Sequence, residues 1–541
     1  VDREGSVTDG SGGSTAADGY VVAVDLGTGG PKVAVVSDRG RMVAHAVRPV
    51  ALDLLPGGGA EQDPDEWWSA IADACREAVG AAGVPSGSLL GIGCTAQWSG
   101  TVALGADGRP RMPALLWMDS RGSAGIRRVV GGAVNVLGYD PRKLLRWVQV
   151  TGGVPSLSGK DPVAHILFIK EARPEVDRET TTYLEPVDYL NFRLTGRRVA
   201  SFDSICAHWV TDNRAIDRVH YDDRLLGVCG LDRGQLPDLV PPASVIGELS
   251  AVAADDLGLP AGLPVVSGTG DVHSAVVGSG AVADFDCHLY IGTSSWISGH
   301  VPFKKTAPTS NIASIPAAVP GKYVLGDEHE TAGVCLSFAC EQLGLAPDVE
   351  AANELAASAP PGSGRVLFTP WLNGERSPVD DHTLRGGFHN LSLSSSRAEL
   401  MRSVFEGVAF NSRWLLEAVE KFVGRRLDSL AFIGGGAASA FWSQVHADIL
   451  GREIRQMAQP RLANVRGAAL LTLLALGRVA VEDIPALVEV DRRFEPDPAV
   501  AASGEYGDLF EQFVALYKQN KGIYRRLNSH RLDGPARAGA G

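Results

Sequence analysis

A short apolar run, Tyr20-Val21-Val22-Ala23-Val24, stops at Asp25-Leu26-Gly27-Thr28-Gly29-Gly30 and resumes as Lys32 to Val36. β-Branched residues followed by clustered glycines read as strand, tight turn and strand. Asp38-Arg39-Gly40 then turns the chain into a third run, Met42 to Val47, so the chain opens on an antiparallel meander. The same device returns much later, where Cys287 to Ile291 halts at Gly292-Thr293-Ser294-Ser295 and Trp296 resumes it. Glu66 to Ala82 has helical composition, and Leu89 to Thr95 reads as a buried strand. Leu430 to Ile433 is another strand; it empties into Gly434-Gly435-Gly436, with Ser439 placed to cap a helix over Phe441 to Leu450. Ser396 and Glu399 form a capping box ahead of a long helix, whose Leu400, Val404, Phe405, Val408 and Leu415 share one face. This grammar predicts an α/β protein with one Gly-Thr turn in each of two domains.

The length agrees: 541 residues exceed the roughly 150 of a typical domain several times over. We divide the chain into a leader (1–19), an N-terminal domain (20–266), a C-terminal domain (267–490) and a C-terminal helix and tail (491–541). The break falls in the strand-and-glycine passage Pro264 to Gly270. The leader is rich in Gly, Ser and Asp without an apolar centre; it and the Gly/Ala/Arg tail after His530 read as disordered. With 50 Lys+Arg against 63 Asp+Glu, the net charge of −13 argues against a nucleic-acid or anionic-membrane partner. No apolar run approaches the roughly 20 residues of a membrane helix. The most apolar stretch, Ala468 to Leu476, suits a core helix. Seven cysteines without a C-x-x-C pair read as reduced thiols of a cytoplasmic protein, not as a disulfide framework or zinc site.

Glycine turns after strands suit phosphate, because missing side chains let backbone N–H groups reach an anion. There is no G-x-x-x-x-G-K-[ST] loop and no convincing G-x-G-x-x-G after the first strand. Singly, each turn is an ordinary turn; three of them, each behind an apolar strand, point toward a nucleotide site. Two carboxylates share this setting. Asp25 ends the first strand beside Gly27 and Thr28, a place where a carboxylate holds magnesium or its waters against phosphate oxygens. Asp271 follows Val265-Val266-Ser267-Gly268-Thr269-Gly270, where a carboxylate takes the proton from a substrate hydroxyl. On spacing alone, the commoner role for both is a turn or helix-cap aspartate.

Seven segments, taken in order, carry more than any one of them. Asp25-Leu-Gly-Thr-Gly-Gly-Pro-Lys32, Glu61-Gln-Asp-Pro-Asp-Glu-Trp-Trp68, Trp117-Met-Asp-Ser-Arg121, Gly268-Thr-Gly-Asp271, Gly292-Thr-Ser294, Gly374-Glu-Arg-Ser-Pro378 and Gly434-Gly-Gly-Ala437 resemble the landmarks of the FGGY carbohydrate kinases. Within that family, the Glu-Gln-Asp-Pro and Gly-Glu-Arg-Ser-Pro segments are most similar to xylulokinases. The resemblance implies two ribonuclease-H-like domains of the actin/Hsp70/sugar-kinase type, with ATP in the cleft between them and the sugar deeper, mainly against the N-terminal domain. It implies that Asp25 organises magnesium and that Gly27, Thr28 and Lys32 belong to the nucleotide site. Gly292 and Thr293 would form a second phosphate loop, and Gly434, Gly435 and Gly436 would border the adenosine. Asp271 would be the general base in an in-line phosphoryl transfer, with domain closure excluding water.

The expected sugar pocket departs from the family. Gln97-Trp98-Ser99-Gly100 stands where xylulokinases usually read Gln-Met-His-Gly, and Val272 follows Asp271 where Asn is common. Gln97, Trp98, Ser99, Asp271 and Val272 are therefore the expected substrate contacts, with two polar partners fewer to read a hydroxyl pattern. The acceptor stays open between a ketose such as D-xylulose and another ketose or polyol: ribulose, glycerol or a tetritol. A sugar-binding regulatory protein without turnover is a further alternative, and a homodimer is left open. Trp67 and Trp68 read as core packing, as do Cys287 and His288; His273 reads as a structural partner. Arg376 reads as a loop ion pair. Asp119 and Arg121 either pair with each other or touch the substrate.

Overall fold

The computed structural model describes residues 19–532. The expectations for the rest of the leader and for the tail beyond residue 532 lie outside the described residues. The first sheet consists of Tyr20–Gly27 (β1), Gly30–Ser37 (β2), Met42–Val47 (β3), Leu89–Ala96 (β4), Val245–Glu248 (β5) and Pro264–Gly270 (β6), in the order β5-β6-β4-β1-β2-β3. The second consists of Cys287–Ile291 (β7), Ser295–Val301 (β8), Thr306–Ala307 (β9), Ile312–Pro316 (β10), Tyr323–Gly326 (β11), Ser429–Ile433 (β12), Glu453–Met457 (β13) and Val490–Phe494 (β14), in the order β9-β10-β11-β8-β7-β12-β13-β14. Both repeat one plan. A hairpin through a glycine turn, β1–β2 or β7–β8, is joined on its other side by a parallel strand, β4 or β12. Parallel pairing needs a crossover, and helices provide it.

The helices around the site are Pro64–Ala82 (α1), Asp271–Gly278 (α2), Gly333–Glu341 (α3), Arg397–Val423 (α4), Ala440–Leu450 (α5) and Ala463–Ala475 (α6); Glu505–Leu532 (α7) follows them. Their ends obey local chemistry. Asp63 caps α1 by accepting from the Asp65 N–H, Pro64 occupies the first turn, and Gly83 leaves it at φ 61°. The capping box of Ser396 and Glu399 opens α4, and Ser439 caps α5 through the Trp442 N–H. Trp67 and Trp68 are buried in the first core, and all seven cysteines are buried and unpaired. Among the described residues no helix is long and apolar enough to cross a membrane.

Three features differ from the sequence expectation. The border placed at 266/267 falls inside β6, whose ladder to β4 runs from Val265 to Gly270, so the two sheets part between Gly278 and Cys287. The border at 490/491 likewise cuts β14, and α7 sinks Tyr506, Leu509, Phe510 and Phe513 into the second core. A separate, mainly helical core containing Trp147, Ile166, Tyr183 and Leu226 is inserted within the N-terminal half.

The two halves are joined by α2 and α6. Helix α6 lies late in the chain, yet its Val465, Ala468, Ala469 and Leu473 pack on Val21, Ala23, Ala34 and Val36 of the first sheet. It meets α2 at glycines that leave no space for a side chain. A Cβ on Gly467 would lie 1.9 Å from the Ser274 carbonyl oxygen, and one on Gly278 1.8 Å from that of Ala463. Overpacking a tight core typically costs about 1–3 kcal/mol. Gly467→Ala is expected to lower stability by at least that amount in urea unfolding. Gly80→Ala, on the open side of α1 where nothing lies within 4 Å, is expected to raise it by about 0.5–1 kcal/mol through reduced backbone entropy.

Candidate active site

Parallel strands end on a common edge, and ligands of open α/β sheets bind beyond that edge. β1, β4 and β6 run parallel. Asp25 near the end of β1, Gln97 to Ser99 after β4 and Asp271 after β6 are thus delivered to one place. Asp25 is 1% exposed. Its Oδ2 accepts from Lys32 Nζ at 2.8 Å across the β1–β2 hairpin, while its buried Oδ1 has no hydrogen-bond partner among the described residues. The Asp25 charge, above all, raises Lys32 above the ordinary lysine pKa. Asp271 sits half-buried in the first turn of α2, where its Oδ1 accepts from the Val272 N–H at 2.9 Å. Burial first, and then the negative charge of Asp25, push its carboxyl up to about 7; Glu328 adds to the rise and Lys32 opposes it.

The Gly27–Gly30 turn is held by an amide network. Thr28 Oγ1 donates to Gln97 Oε1 at 2.9 Å and accepts from Trp117 Nε1 at 3.1 Å. Gln97 Nε2 donates to Gln62 Oε1 at 2.9 Å, which also accepts from Trp67 Nε1 at 3.0 Å. Gln62 Nε2 returns to the Thr28 and Ala51 carbonyls at 2.8 and 2.9 Å. Two expectations change here. Gln97, expected among the substrate contacts, is 2% exposed and engages both ends of its amide inside this network. The Thr28 hydroxyl is engaged on both sides, which leaves the backbone of the turn as the part free for phosphate. Gln62, passed over in the sequence reading although it lies in a quoted segment, is the hub.

Trp98 and Ser99 are half-exposed beside Asp271. The indole is fixed: Nε1 donates to the Ser204 carbonyl at 2.8 Å, and the ring meets His273 edge-on at 5.0 Å. His273 is buried without a hydrogen-bond partner among the described residues, and burial lowers it to about 3, so it packs as a neutral ring. Ser99 takes φ 63°, turning the chain back from β4.

The second sheet brings its glycine turns to its own edge. Gly434 leaves β12 at φ 89°, its N–H donating to the Pro460 carbonyl at 3.0 Å, and it crosses so near Ile291 that a Cβ would lie 2.5 Å from that carbonyl oxygen. Gly436 packs on the Ile291 side chain, so the Gly292–Thr293 and Gly434–Gly436 turns adjoin. The start of α3 closes on them, with the Gly333 N–H donating to the Gly292 carbonyl at 2.8 Å and that of Ala332 to Thr293 at 2.9 Å.

Arg376 binds Glu328 and, at 2.6 Å, Glu330, and Lys160 of the first half reaches Glu330 at 3.5 Å. Arg376 is therefore in ion pairs, within a charged group whose Glu328 adds to the rise of Asp271. Arg121 pairs with both Asp119 and Glu61, which ties two of the sequence landmarks together. Cys287 and His288 pack in the sheet, His288 Nε2 accepting from Trp296 Nε1.

Two sheets presenting a lysine-held carboxylate, a half-buried carboxylate and glycine turns at their strand ends define a two-domain phosphotransferase. The family model for the N-terminal domain of the FGGY carbohydrate kinases matches residues 20–278, and that for the C-terminal domain residues 287–476. The chain belongs to the FGGY family of carbohydrate kinases and is a sugar kinase. It is 31% identical to a xylulose kinase of Streptomyces rubiginosus over 89% of this chain and 92% of the relative. It is 29% identical to a xylulose kinase of Escherichia coli K12 over 92% and 98%. The crystal structure of a xylulose kinase from Rhodospirillum rubrum superposes with a TM-score of 0.79 at 26% identity, covering 94% of this chain and all of the other.

Because all four hydrogen-bonding positions of Gln62 are used, Gln62→Leu strands the Trp67 N–H, the Gln97 amide and the Thr28 carbonyl. An unsatisfied buried group costs about 1–3 kcal/mol. At least that loss is expected in urea unfolding followed by tryptophan fluorescence, whereas Asp73→Asn on the exposed face of α1 is expected to change little.

Proposed function

We propose that this kinase transfers the γ-phosphoryl group of ATP to a hydroxyl of a ketose of the xylulose type, with Asp271 as general base. The observation that carries this reading is the placement of Asp271: at the carboxyl end of β6, in the first turn of α2, and held by burial and by Asp25 near neutrality. A base poised near the working pH combines a useful ionised fraction with a useful proton affinity. The bond from the γ-phosphorus to the bridging oxygen breaks, its electron pair leaving with ADP. The acceptor oxygen forms the new bond to phosphorus, and its proton passes to Asp271.

Magnesium fits the residues present. Asp25 has one buried oxygen held by Lys32 and one without a partner. Among the described residues no group of three or more His, Cys, Asp or Glu is arranged to hold a metal. One carboxylate beside phosphate oxygens and waters is the way magnesium is commonly bound, and when bound it neutralises charge on the phosphates. Lys32 keeps Asp25 oriented, and the backbones of the Gly27–Gly30 and Gly292–Thr293 turns border the phosphates. Gly434 to Gly436 border the adenosine. Trp98, Ser99 and Val272 line the acceptor side. A cytoplasmic location suits seven free thiols.

ADP release with ATP and magnesium, followed over pentuloses, hexuloses, polyols and glycerol, tests the reading. Xylulose is expected to stimulate turnover, and Asp271→Ala to reduce it by about 10²–10⁴-fold, the usual contribution of a positioned base. Another winning acceptor would move the specificity and keep the chemistry. Sugar binding without stimulated ADP release would make this a silent binding protein. Because the Asp271 pKa is raised and the base must be ionised, kcat/KM is expected to fall as the pH drops through about 7. A limb near 4 would show that Asp271 titrates as an ordinary aspartate in the working enzyme, and a limb unchanged in Asp271→Ala would remove it from the role.

A further inference from the structure

β7 ends in Tyr290-Ile291-Gly292, and residues two apart on a strand share a face. The Tyr290 ring leans over Gly292: a Cβ placed on that glycine would lie 2.5 Å from the phenol oxygen and 2.7 and 2.8 Å from the ring carbons Cε1 and Cζ. The phenol oxygen therefore stands at the mouth of the Gly292–Thr293 turn. The ring is held from the side by Trp296, its register partner on β8, with centroids 3.9 Å apart and planes 8° from parallel. Trp296 is itself fixed by its N–H to His288 Nε2 at 3.1 Å. Tyr290 and Val272 both pack on the apolar cluster of Ala275, Val277, Ala431 and Ile433. No group among the described residues hydrogen-bonds the hydroxyl. Burial, with the charges of Asp271 and Asp25, keeps its proton on above the ordinary tyrosine range, so it remains a neutral donor.

We propose that the Tyr290 hydroxyl is a catalytic hydrogen-bond donor to the phosphoryl group as it passes from ATP to the acceptor, a role that rests on the kinase reading above. A phosphoryl group entering beside Asp25 and Asp271 meets two negative charges on one side. A rigid, otherwise unused O–H over the Gly292–Thr293 turn offsets that repulsion on the equatorial oxygens, and pre-organised donors act where charge sits in the transition state. The donor adds no net charge and takes no proton. Tyr290 lies two residues before Gly292-Thr293, in the strand of the recurring strand and Gly-Thr turn device, where the sequence assigns it no role of its own.

Tyr290→Phe tests this, since it keeps the ring, the Trp296 stack and the cover over Gly292 and removes only the oxygen. The kcat of xylulose-dependent ADP release is expected to fall about 10²-fold, as when one pre-organised donor is lost, with acceptor KM and melting temperature unchanged. Acceptor-free ATP hydrolysis is expected to fall by the same factor, because the hydroxyl acts on phosphorus and not on the sugar. Affinity for ADP with aluminium fluoride, measured by calorimetry, should drop while affinity for ADP alone holds. Wild-type kcat and fluoride-complex affinity in the variant, or a loss confined to KM or melting temperature, would reduce Tyr290 to packing. If no acceptor stimulates the wild type but hydrolysis or fluoride-complex affinity still depends on Tyr290, the acceptor reading fails and this one stands. If Asp271→Ala abolishes turnover and Tyr290→Phe leaves it alone, the reverse holds.

Discussion

The crossing of α2 over α6 is the contact on which the site depends. Helix α2 carries Asp271 in its first turn, and α6 lies against β1 and β2, which carry Asp25 and Lys32. The separation of the two helices therefore helps to set where Asp271 stands relative to Asp25. Gly278 and Gly467 allow backbone to touch backbone, and on the far side of α6 the same closeness recurs. A Cβ on Gly93 of β4 would lie 2.0 Å from Thr472 Oγ1. Side chains in a packed interior resist displacement as a solid does, so a helix wedged in this way transmits its position to the residues at its end. The same helix contributes Ala463, Leu470 and Leu471 to a cluster with Ala431 and Ile433 of the second sheet. One element thus references both sheets to a common axis.

On this frame the electrostatics divide the labour between two carboxylates of the same chemical kind. Asp25 has an ammonium at 2.8 Å on one oxygen. Asp271 has a single backbone N–H, partial burial and Asp25 as a negative neighbour. Environments that differ in this way give like groups different chemistry within one fold. The second half adds Glu328, itself held by Arg376, whose charge raises the Asp271 carboxyl further. The proton affinity of Asp271 therefore depends on residues of both halves.

The parts legible in the sequence were those in which a backbone event coincides with a composition change. Strands ending in glycine stand out because β-branched residues give way abruptly to residues without side chains, which is why β1, β7 and β12 and their turns were readable. Caps such as Ser396 with Glu399 were readable for a similar local reason. What escaped is non-local. Gln62 becomes a hub only when β4 brings Gln97 beside it, and an isolated Gln carries no pattern. Glu328 and Glu330 acquire meaning from Arg376 and Lys160, which are far away in the chain. The inserted core around Trp147 and Tyr183 is built from short helices whose apolar faces do not differ from those of any globular core. The strand borders at 266/267 and 490/491 were missed because hydrogen-bond ladders, not composition, carry β6 and β14 through those points.

The acceptor side follows a different logic from the phosphoryl side. On the proposed reading, phosphate meets backbone turns, Lys32 and carboxylates that hydrogen bonds and helix packing hold rigidly. The acceptor would meet Trp98, Ser99 and Val272, of which only the serine carries a polar side chain aside from the indole N–H, and that N–H is already taken by Ser204. Trp98 cannot swing aside: Gly270 lies so close that a Cβ there would sit 2.9 Å from the indole Cγ, and His273 supports the ring's edge. A fixed apolar wall discriminates chiefly by shape, and one added or missing methylene against such a wall changes selectivity by about 10–200-fold. Hydroxyl-reading sites reach far larger ratios only by leaving buried polar groups unpaired with the wrong substrate. This pocket has few such groups to leave unpaired, so its preference among ketoses and polyols rests on the contour of Trp98 and Val272 more than on counting hydroxyls.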